Sequence, residues 1–228
     1  MDLDFGTTGK VKVGMVKYVR ETIAYFPEII TGTATTPAAN HIFDVREEAP
    51  NMEEERARIF HRTVARLLFL CKRARPDIQT AIAFMTTRVK APDEDDWKKL
   101  IRLLKYLRGT QFMRLMLSAN RASLVRSTNR STAVKWWVDA SYAVHPNMRS
   151  HTGLVMSLGE GCVQGSSSKQ KINTGSSTEA ELVAVTDRMP NVLWTNYFLA
   201  GQGIGAKATV KQDNKVQYSS KITVTLRV

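Results

Sequence analysis

The first 54 residues predict a small β-then-α unit followed by a connection. KVKV at residues 10–13 alternates polar and apolar side chains as a strand does, and MVKYVRETIAYF after it repeats apolar residues at helical spacing until Pro27. From residue 27 to 54 neither period continues, and Thr, Pro, Ala and Glu dominate. We therefore predict a linker crossing in that stretch.

Three helices that form a bundle-like unit are predicted between residues 55 and 110. Pro76 ends the first helix and precedes the second, DIQTAIAFMTTRV. The third begins at PDEDD, whose carboxylates suit the positive end of a helix dipole, and takes Gly109 as its C-cap. The apolar stripe of the first helix is Phe60, Val64, Leu67, Leu68 and Cys71, and that of the third is Trp97, Leu100, Ile101, Leu104 and Leu107.

After residue 110 the pattern is typical of strands. MRLMLS, AVKWWVDASY, GLVMSLG and GCVQG are predicted β-segments, TEAELVAVTDRM a helix, and ATVKQDN a further strand. This order predicts an α+β domain with a mixed sheet. Residues 222–228 alternate apolar and polar positions, again as a strand does. Of Trp136 and Trp137, one is expected in the core and the other facing outward.

Positive charge is concentrated in the second half of the chain. Of the formal net charge of +12, residues 1–100 contribute 16 Lys and Arg against 15 Asp and Glu, whereas residues 101–228 contribute 17 against 6. A concentrated positive field is typical of a nucleic-acid partner, and generic solubilising charge is the alternative.

Cysteine, histidine and membrane signals are weak. Cys71 and Cys162 lack metal-ligand spacing and are predicted to be reduced and buried. The histidines also lack such spacing and are predicted to be ordinary surface or turn residues: His41, His61, His145 and His151. No apolar run approaches the ~20 residues of a membrane span, and MDLDFG is not a signal peptide, so we expect an intracellular protein without a membrane partner.

Three acids are candidates for metal chemistry. Asp139 is predicted to end the strand WWVD, Glu181 lies early in the helix TEAELVAV, and Asp213 is predicted to end the strand ATVKQD. Carboxylates at element ends suit Mg²⁺, and two such ions can stabilise the attacking and leaving oxygens of phosphodiester cleavage. Taken singly, an Asp at a strand end is more often a turn former.

Glu179 competes with Glu181 for the middle position. Residues two apart on a helix point about 200° away from each other, so only one of them can face a given site. Ser176 and Glu179 fit a capping box, which leaves Glu181 free, but Thr178 and Glu181 fit the same pattern. Spacing therefore gives Glu181 only a modest advantage.

Several blocks resemble the ribonuclease H domain of copia-type retrotransposon polyproteins. They are WWVDASYAVHPNMRSHTG, SSSKQKINTGSSTEAELVAV and QDN, and upstream LLFLCKRARPDIQTAIAF and WKKLIRLLKYLRGT look like the segment between polymerase and nuclease. The resemblance extends to about residue 214. It implies that residues 1–54 end the reverse transcriptase region, that 55–110 form a helical connection, and that 111–228 form a ribonuclease H-like domain.

The resemblance also implies a chemistry. Asp139, Glu181 and Asp213 match the family's metal-binding acids, with Mg²⁺, or alternatively Mn²⁺, as cofactor. The implied reaction is hydrolysis of RNA in an RNA·DNA hybrid during reverse transcription, in a cytoplasmic particle or the nucleus, with the rest of the Pol polyprotein as partner. The residues expected near phosphates are Ser141, Lys169, Gln170 and Lys171.

Two departures from the family pattern bear on activity. No polymerase motif is found, so DNA synthesis is not expected. The family has a fourth acid beyond a further helix, whereas KVQYSSKITVTLRV has a strand pattern there. We therefore expect a C-terminally truncated domain with impaired turnover, and the alternative is an inactive retroelement remnant that at most binds nucleic acid.

Overall fold

The computed structural model describes residues 1–46, 48–119, 131–212 and 221–225, and the chain is an α+β protein. It divides into two compact units, one of Met1–Leu3 and Val13–Leu115, the other of Asp4–Lys12 and Met116–Val228. The boundaries expected at residues 54–55 and 110–111 stay predictions. The identities expected for the three predicted segments stay predictions.

The first unit is helical, as its apolar periodicity predicts. Pro76 opens a short 3₁₀ turn, where its missing N–H has no helical partner to lose. The core of the unit is aliphatic and aromatic, with Phe60, Leu67 and Leu104 fully buried. Its helices are α1 Val16–Tyr25, α2 Glu54–Arg73, the 3₁₀ turn Pro76–Ile78, α3 Gln79–Arg88 and α4 Glu94–Gly109.

Three details of the sequence prediction need correction. Leu68 is 38% exposed because it lies about 100° around α2 from the buried Leu67. Gly109 is the last helical residue of α4, and Thr110 is its C-cap. Cys71 is buried as expected, but Cys162 is only half-buried.

A small sheet and a larger sheet contain the strands. The small one has the order β1–β2–β3–β6, formed by Asp2–Asp4, Lys10–Gly14, Leu115–Ala119 and Gly159–Glu160. The larger one has the order β7–β5–β4–β8–β9, formed by β4 Ser131–Ser141, β5 Arg149–Ser157, β7 Gln164–Asn173, β8 Gly205–Lys211 and β9 Lys221–Thr225. It is a mixed sheet, because β4 and β8 are parallel while the other pairs are antiparallel.

Helix α5, Ser177–Gly201, covers one face of the larger sheet. Trp136 is fully buried beneath it, whereas Trp137 is 39% exposed, which confirms the expected alternation. The core between helix and sheet consists of Val134, Trp136, Val138, Leu154, Met156, Ala184, Val185, Val192, Leu199, Ala208 and Val210.

The strand and helix predictions for this unit are mostly confirmed, with two differences. GCVQG is mainly a connection, and the strand is the polar segment after it, β7. β7 is at the edge of the sheet, where apolar alternation is not required. Helix α5 runs twelve residues beyond the predicted end at Met189, with Pro190 inside it.

The alternating segment near the C-terminus forms a strand as predicted, since β9 pairs antiparallel with β8 over Lys221–Thr225. Residues 226–228 lie outside the described residues. Among the helices of the described ranges, none combines the length and the apolar character that a bilayer crossing requires.

Candidate active site

Two of the three predicted acids meet where β4 lies against α5. Asp139 is an exposed residue of β4 opposite Gly153 of β5, and β4 continues to Ser141, so Asp139 does not end its strand as predicted. Glu181 lies in the first turns of α5, as predicted. Asp213 lies outside the described residues, and β8, which it was expected to end, stops at Lys211.

Two hydrogen bonds orient the Glu181 carboxylate. The backbone N–H of Ala140 donates to Oε1 at 3.1 Å, and Nε2 of Gln212 donates to Oε2 at 2.8 Å. Ala140 follows Asp139 in β4, and Gln212 comes directly after β8 and precedes Asp213 in the sequence. One carboxylate of α5 is thus bonded to β4 and to the residue that follows β8.

The electrostatics of Glu181 favour binding of a proton or a cation. Burial raises the pKa of the Glu181 carboxyl, the bonds from Gln212 and Ala140 oppose that shift, and the nearby Asp139 carboxyl adds to it. Two carboxylates this close repel each other unless positive charge lies between them. A hard divalent cation with oxygen ligands is the ordinary way to supply that charge.

Glu179 has a different role from Glu181. Ser176 is the N-cap of α5 and accepts a hydrogen bond from the Glu179 backbone N–H at 3.2 Å. The Glu179 carboxylate accepts from the N–H of Gly175 at 2.6 Å, so it completes a cap shifted by one residue. Thr178 is already inside the helix, which removes the competing capping pattern.

The donor set suits Mg²⁺ or Mn²⁺ but is not a complete cage. In the described part of the chain, no group of three or more His, Cys, Asp or Glu side chains is placed to hold a metal ion. Asp139 and Glu181 supply carboxylate oxygens, and Gly153 beside Asp139 leaves open space where a side chain would otherwise stand. Mg²⁺ commonly binds one or two carboxylates and fills its other positions with water and substrate phosphate.

The four residues expected near phosphates differ in exposure. Ser141 and Lys171 are exposed and Lys169 is half-buried. Gln170 is buried, and its Nε2 donates to Oγ1 of Thr152 at 3.0 Å and to the carbonyl of Ala180 at 2.9 Å. Gln170 therefore joins β7 to β5 and to the first turn of α5, and its expected phosphate contact stays a prediction.

His145 lies in the loop between β4 and β5, as predicted, but the predicted surface exposure was wrong for His145 and His151. His145 and His151 are 3% and 5% exposed, and Nε2 of His145 lies 3.0 Å from Nδ1 of His151. His151 also bonds Oγ of Ser167 through Nε2, at 2.6 Å. Burial, aided by Lys169, lowers the pKa of His145 to about 4; burial, aided by His145 and Arg188, lowers the pKa of His151 to about 4. The local sequence around these two residues does not predict that they pair.

Comparison with known proteins gives relatives among transposon polyproteins. The chain is 26% identical over 209 residues, 90% of its length, to a retrovirus-related Pol polyprotein from transposon TNT 1-94 of Nicotiana tabacum. It is 30% identical over 130 residues, 57% of its length, to a retrovirus-related Pol polyprotein from transposon RE2 of Arabidopsis thaliana. It is also 30% identical over 131 residues, 58% of its length, to secreted RxLR effector protein 161 of Plasmopara viticola.

These relatives differ in how much of their own length is matched. The chain spans 15% of the TNT 1-94 polyprotein and 8% of the RE2 polyprotein, but 87% of the effector protein. No protein-family model matches the chain. No solved structure matches it either.

Proposed function

The chain is homologous to the copia-type retrovirus-related Pol polyproteins of plant transposons, and from that premise we propose that residues 111–228 form a ribonuclease H-type domain. It hydrolyses the RNA strand of RNA·DNA hybrids during reverse transcription, with Asp139, Glu181 and Asp213 as its metal-binding acids. The mixed sheet covered by α5 is compatible with this fold.

The observation that carries the proposal is the double anchoring of Glu181. Its carboxylate faces that of Asp139 and accepts hydrogen bonds from Ala140 and Gln212. The two hydrogen-bond donors neighbour the other two proposed acids in the sequence. An acid that only capped a helix would need neither bond.

Each proposed residue has a defined task. Divalent metal ions, when bound, activate the attacking water and stabilise the leaving oxygen. Asp139 offers an exposed carboxylate, and Ala140 and Gln212 fix the orientation of the Glu181 carboxylate so that its oxygens are preorganised. Because burial disfavours the charged form of Glu181, a bound cation would offset part of the cost of that charge.

A cleavage assay with paired variants tests the proposal. We expect Asp139→Asn and Glu181→Gln to reduce Mg²⁺-dependent cleavage of an RNA·DNA hybrid at least about 100-fold. The matched controls are Asp187→Asn, an exposed acid of the same helix, and Glu179→Gln, which alters only the cap. Equal cleavage by the wild type and by Asp139→Asn would remove the assignment.

A second candidate function is nucleic-acid binding without turnover. Residues 101–228 carry 17 Lys and Arg against 6 Asp and Glu, and such charge supports binding whether or not a metal site is complete. Hybrid affinity that falls steeply with salt, together with cleavage that does not depend on Asp139, would favour this candidate.

A further inference from the structure

The face of the larger sheet turned away from α5 has its own composition. Val134, Trp136 and Val138 of β4 are buried under α5, so the alternate residues Lys135, Trp137 and Asp139 point to the opposite face, which we call the outer face. Residues paired across adjacent strands lie on the same face of a sheet, so the partners of the outward β4 residues also belong to the outer face. The pairs are Trp137 with Lys211, Ala133 with Lys207, Lys135 with Thr209 and Trp137 with Val155.

The charged residues of this sheet are almost all positive. The five strands contain seven Lys or Arg residues and a single acid, Asp139. Both of the central parallel strands place all their lysines on the outer face, namely Lys135, Lys207 and Lys211. A surface with this balance is complementary to a chain of phosphates.

The outer face is also open and carries an aromatic ring among its lysines. Trp137 is 39% exposed and Val155 beside it 41% exposed. The Lys211 ammonium lies 5.6 Å from the centre of the Trp137 ring. Exposed aromatic rings bordered by cations are typical of grooves that take nucleotide bases and sugars between phosphate contacts.

The outer face leads along β4 to the Asp139 carboxylate. Lys135, Trp137 and Asp139 follow one another on the same side of β4. Four residues of strand span about 13 Å, the length of about four stacked nucleotides at 3.4 Å each. A nucleic-acid strand that runs along β4 over Lys135 and Trp137 therefore reaches the Asp139 carboxylate.

From these observations we propose that the outer face, formed by Lys135, Trp137, Lys207 and Lys211, is a nucleic-acid docking surface that leads a substrate strand to Asp139. The lysines contact phosphates and Trp137 contacts a base or sugar. This inference rests on the proposed function, because the strand that it guides is that reaction's substrate. The docking surface consists of residues other than the four that the sequence predicts near phosphates.

The test measures binding without cleavage. The probe is a fluorescein-labelled RNA·DNA hybrid with a single-stranded DNA overhang, titrated in EDTA at several salt concentrations with the full chain. For the triple variant K135Q/K207Q/K211Q we expect at least about tenfold weaker binding and a salt slope reduced by about 2 to 3, since each lost phosphate contact removes about 0.9. The control K17Q/K90Q/K98Q removes the same charge from the first unit and should change the slope by less than about 1.

A second pair of variants tests the aromatic contact. Trp137→Ala should weaken binding about tenfold, whereas Trp194→Ala, which removes a tryptophan 64% exposed on α5, should leave affinity unchanged. Thermal melts of all variants confirm that they fold. The inference is overturned if the two triple variants lose equal slope, if neither Trp137 nor the three lysines affects binding, or if the wild type does not bind the probe.

The two proposals fail in different assays. The nuclease assignment depends on cleavage by the wild type compared with Asp139→Asn, and the docking surface depends only on affinity in EDTA. Unchanged affinity in K135Q/K207Q/K211Q beside Asp139-dependent cleavage would keep the nuclease assignment and overturn the docking surface.

Discussion

At the scale of single residues, Glu181 couples pH, metal and stability. The pKa of its carboxyl is raised in the folded state, so the unfolded chain loses this proton first as pH rises. The free energy of unfolding therefore decreases as pH rises from the unfolded pKa to the folded pKa. Glu181→Gln cannot ionise. In EDTA at pH 7 we expect this variant to melt above the wild type, and the difference should shrink as pH falls from the folded pKa of Glu181 toward its unfolded pKa.

Divalent metal reverses that comparison. Mn²⁺ binds the ionised carboxylates of the folded wild type and should raise its Tm, while Glu181→Gln gains less. Glu179→Gln serves as the control, because it removes a carboxylate near the start of the same helix and alters the cap at Gly175. If Glu181→Gln were less stable than the wild type at pH 7 in EDTA by the same amount as at pH 4, burial of the charge would not be the cause of the raised pKa.

The buried pair His145 and His151 predicts a loss of stability in mild acid. Each has a pKa lowered to about 4 from 6.5, so as pH falls from about 7 to 4 the unfolded chain takes up protons first and stability declines. Lys169 near His145 and Arg188 near His151 add to the cost of protonating the pair. In urea unfolding, the double variant H145N/H151Q should therefore show a flatter decline between pH 7 and 5, by up to a few kcal/mol.

The exposed histidines provide the matched control for that experiment. H41Q/H61Q removes two histidines whose side chains lie at the surface and should reproduce the wild-type decline. A decline in H145N/H151Q that runs parallel to the wild type would show that other groups cause the acid sensitivity.

Residue roles could be predicted only in part from the sequence. Glu181 and Glu179 both fit a capping pattern, and the contacts that separate them come from Ala140 and Gln212, 41 and 31 positions away. The burial of Gln170 and His151 has the same kind of origin, since it depends on which strands are neighbours. Local spacing carries no information on such long-range contacts.

At the scale of elements, Gln170 links the edge strand β7 to the helix that carries Glu181. Gln170→Ala removes two buried hydrogen bonds and leaves the carbonyl of Ala180 and the hydroxyl of Thr152 without that donor. We expect a loss of about 1–3 kcal/mol in unfolding free energy, measured by urea titration. Cleavage should fall through kcat, because the first turn of α5 is less firmly held, while the salt slope of binding stays as in the wild type.

The neighbouring exposed Lys171 makes the interpretation decisive. Lys171→Ala should leave stability within about 0.5 kcal/mol of the wild type, as surface substitutions usually do. If Gln170→Ala kept full stability but weakened hybrid binding, the phosphate contact expected from the sequence would be the correct role for Gln170.

Elements were predictable where apolar periodicity is local and strong. Helices α2 and α4 and strand β4 fall where their patterns indicate, because each buries one continuous apolar stripe or alternates cleanly. β7 was displaced because SSSKQKIN has no apolar alternation, and the end of α5 was missed because its last twelve residues begin with Pro190, a residue that disfavours a helix interior. In both segments tertiary packing overrides local preference.

At the scale of the whole chain, the α+β class follows from the order of elements, but the membership of the units does not. Residues 4–12 precede all five helices in the sequence, yet they cluster with residues 116–228. The sequence prediction assigned them to the first segment because they are continuous with α1. Pairing between distant strands has no local signature, so this grouping could not be predicted from periodicity.

That grouping predicts how a shortened chain behaves. In the small sheet β2 is the neighbour of β3, and Lys10 forms an ion pair with Glu160 at 3.1 Å. A chain that begins at residue 111 lacks β2 and leaves one edge of β3 without a partner strand, which costs its ladder hydrogen bonds. We expect faster hydrogen exchange at the β3 amides and a lower urea midpoint than for the corresponding transition of the full chain, and a synthetic peptide of residues 1–15 added in excess should restore part of both.

The double variant K10Q/E160Q in the full chain should cost less than about 1 kcal/mol, because an exposed ion pair contributes little beside a strand pairing. Equal β3 protection in the shortened chain with and without the peptide would mean that residues 4–12 do not belong to the second unit in solution.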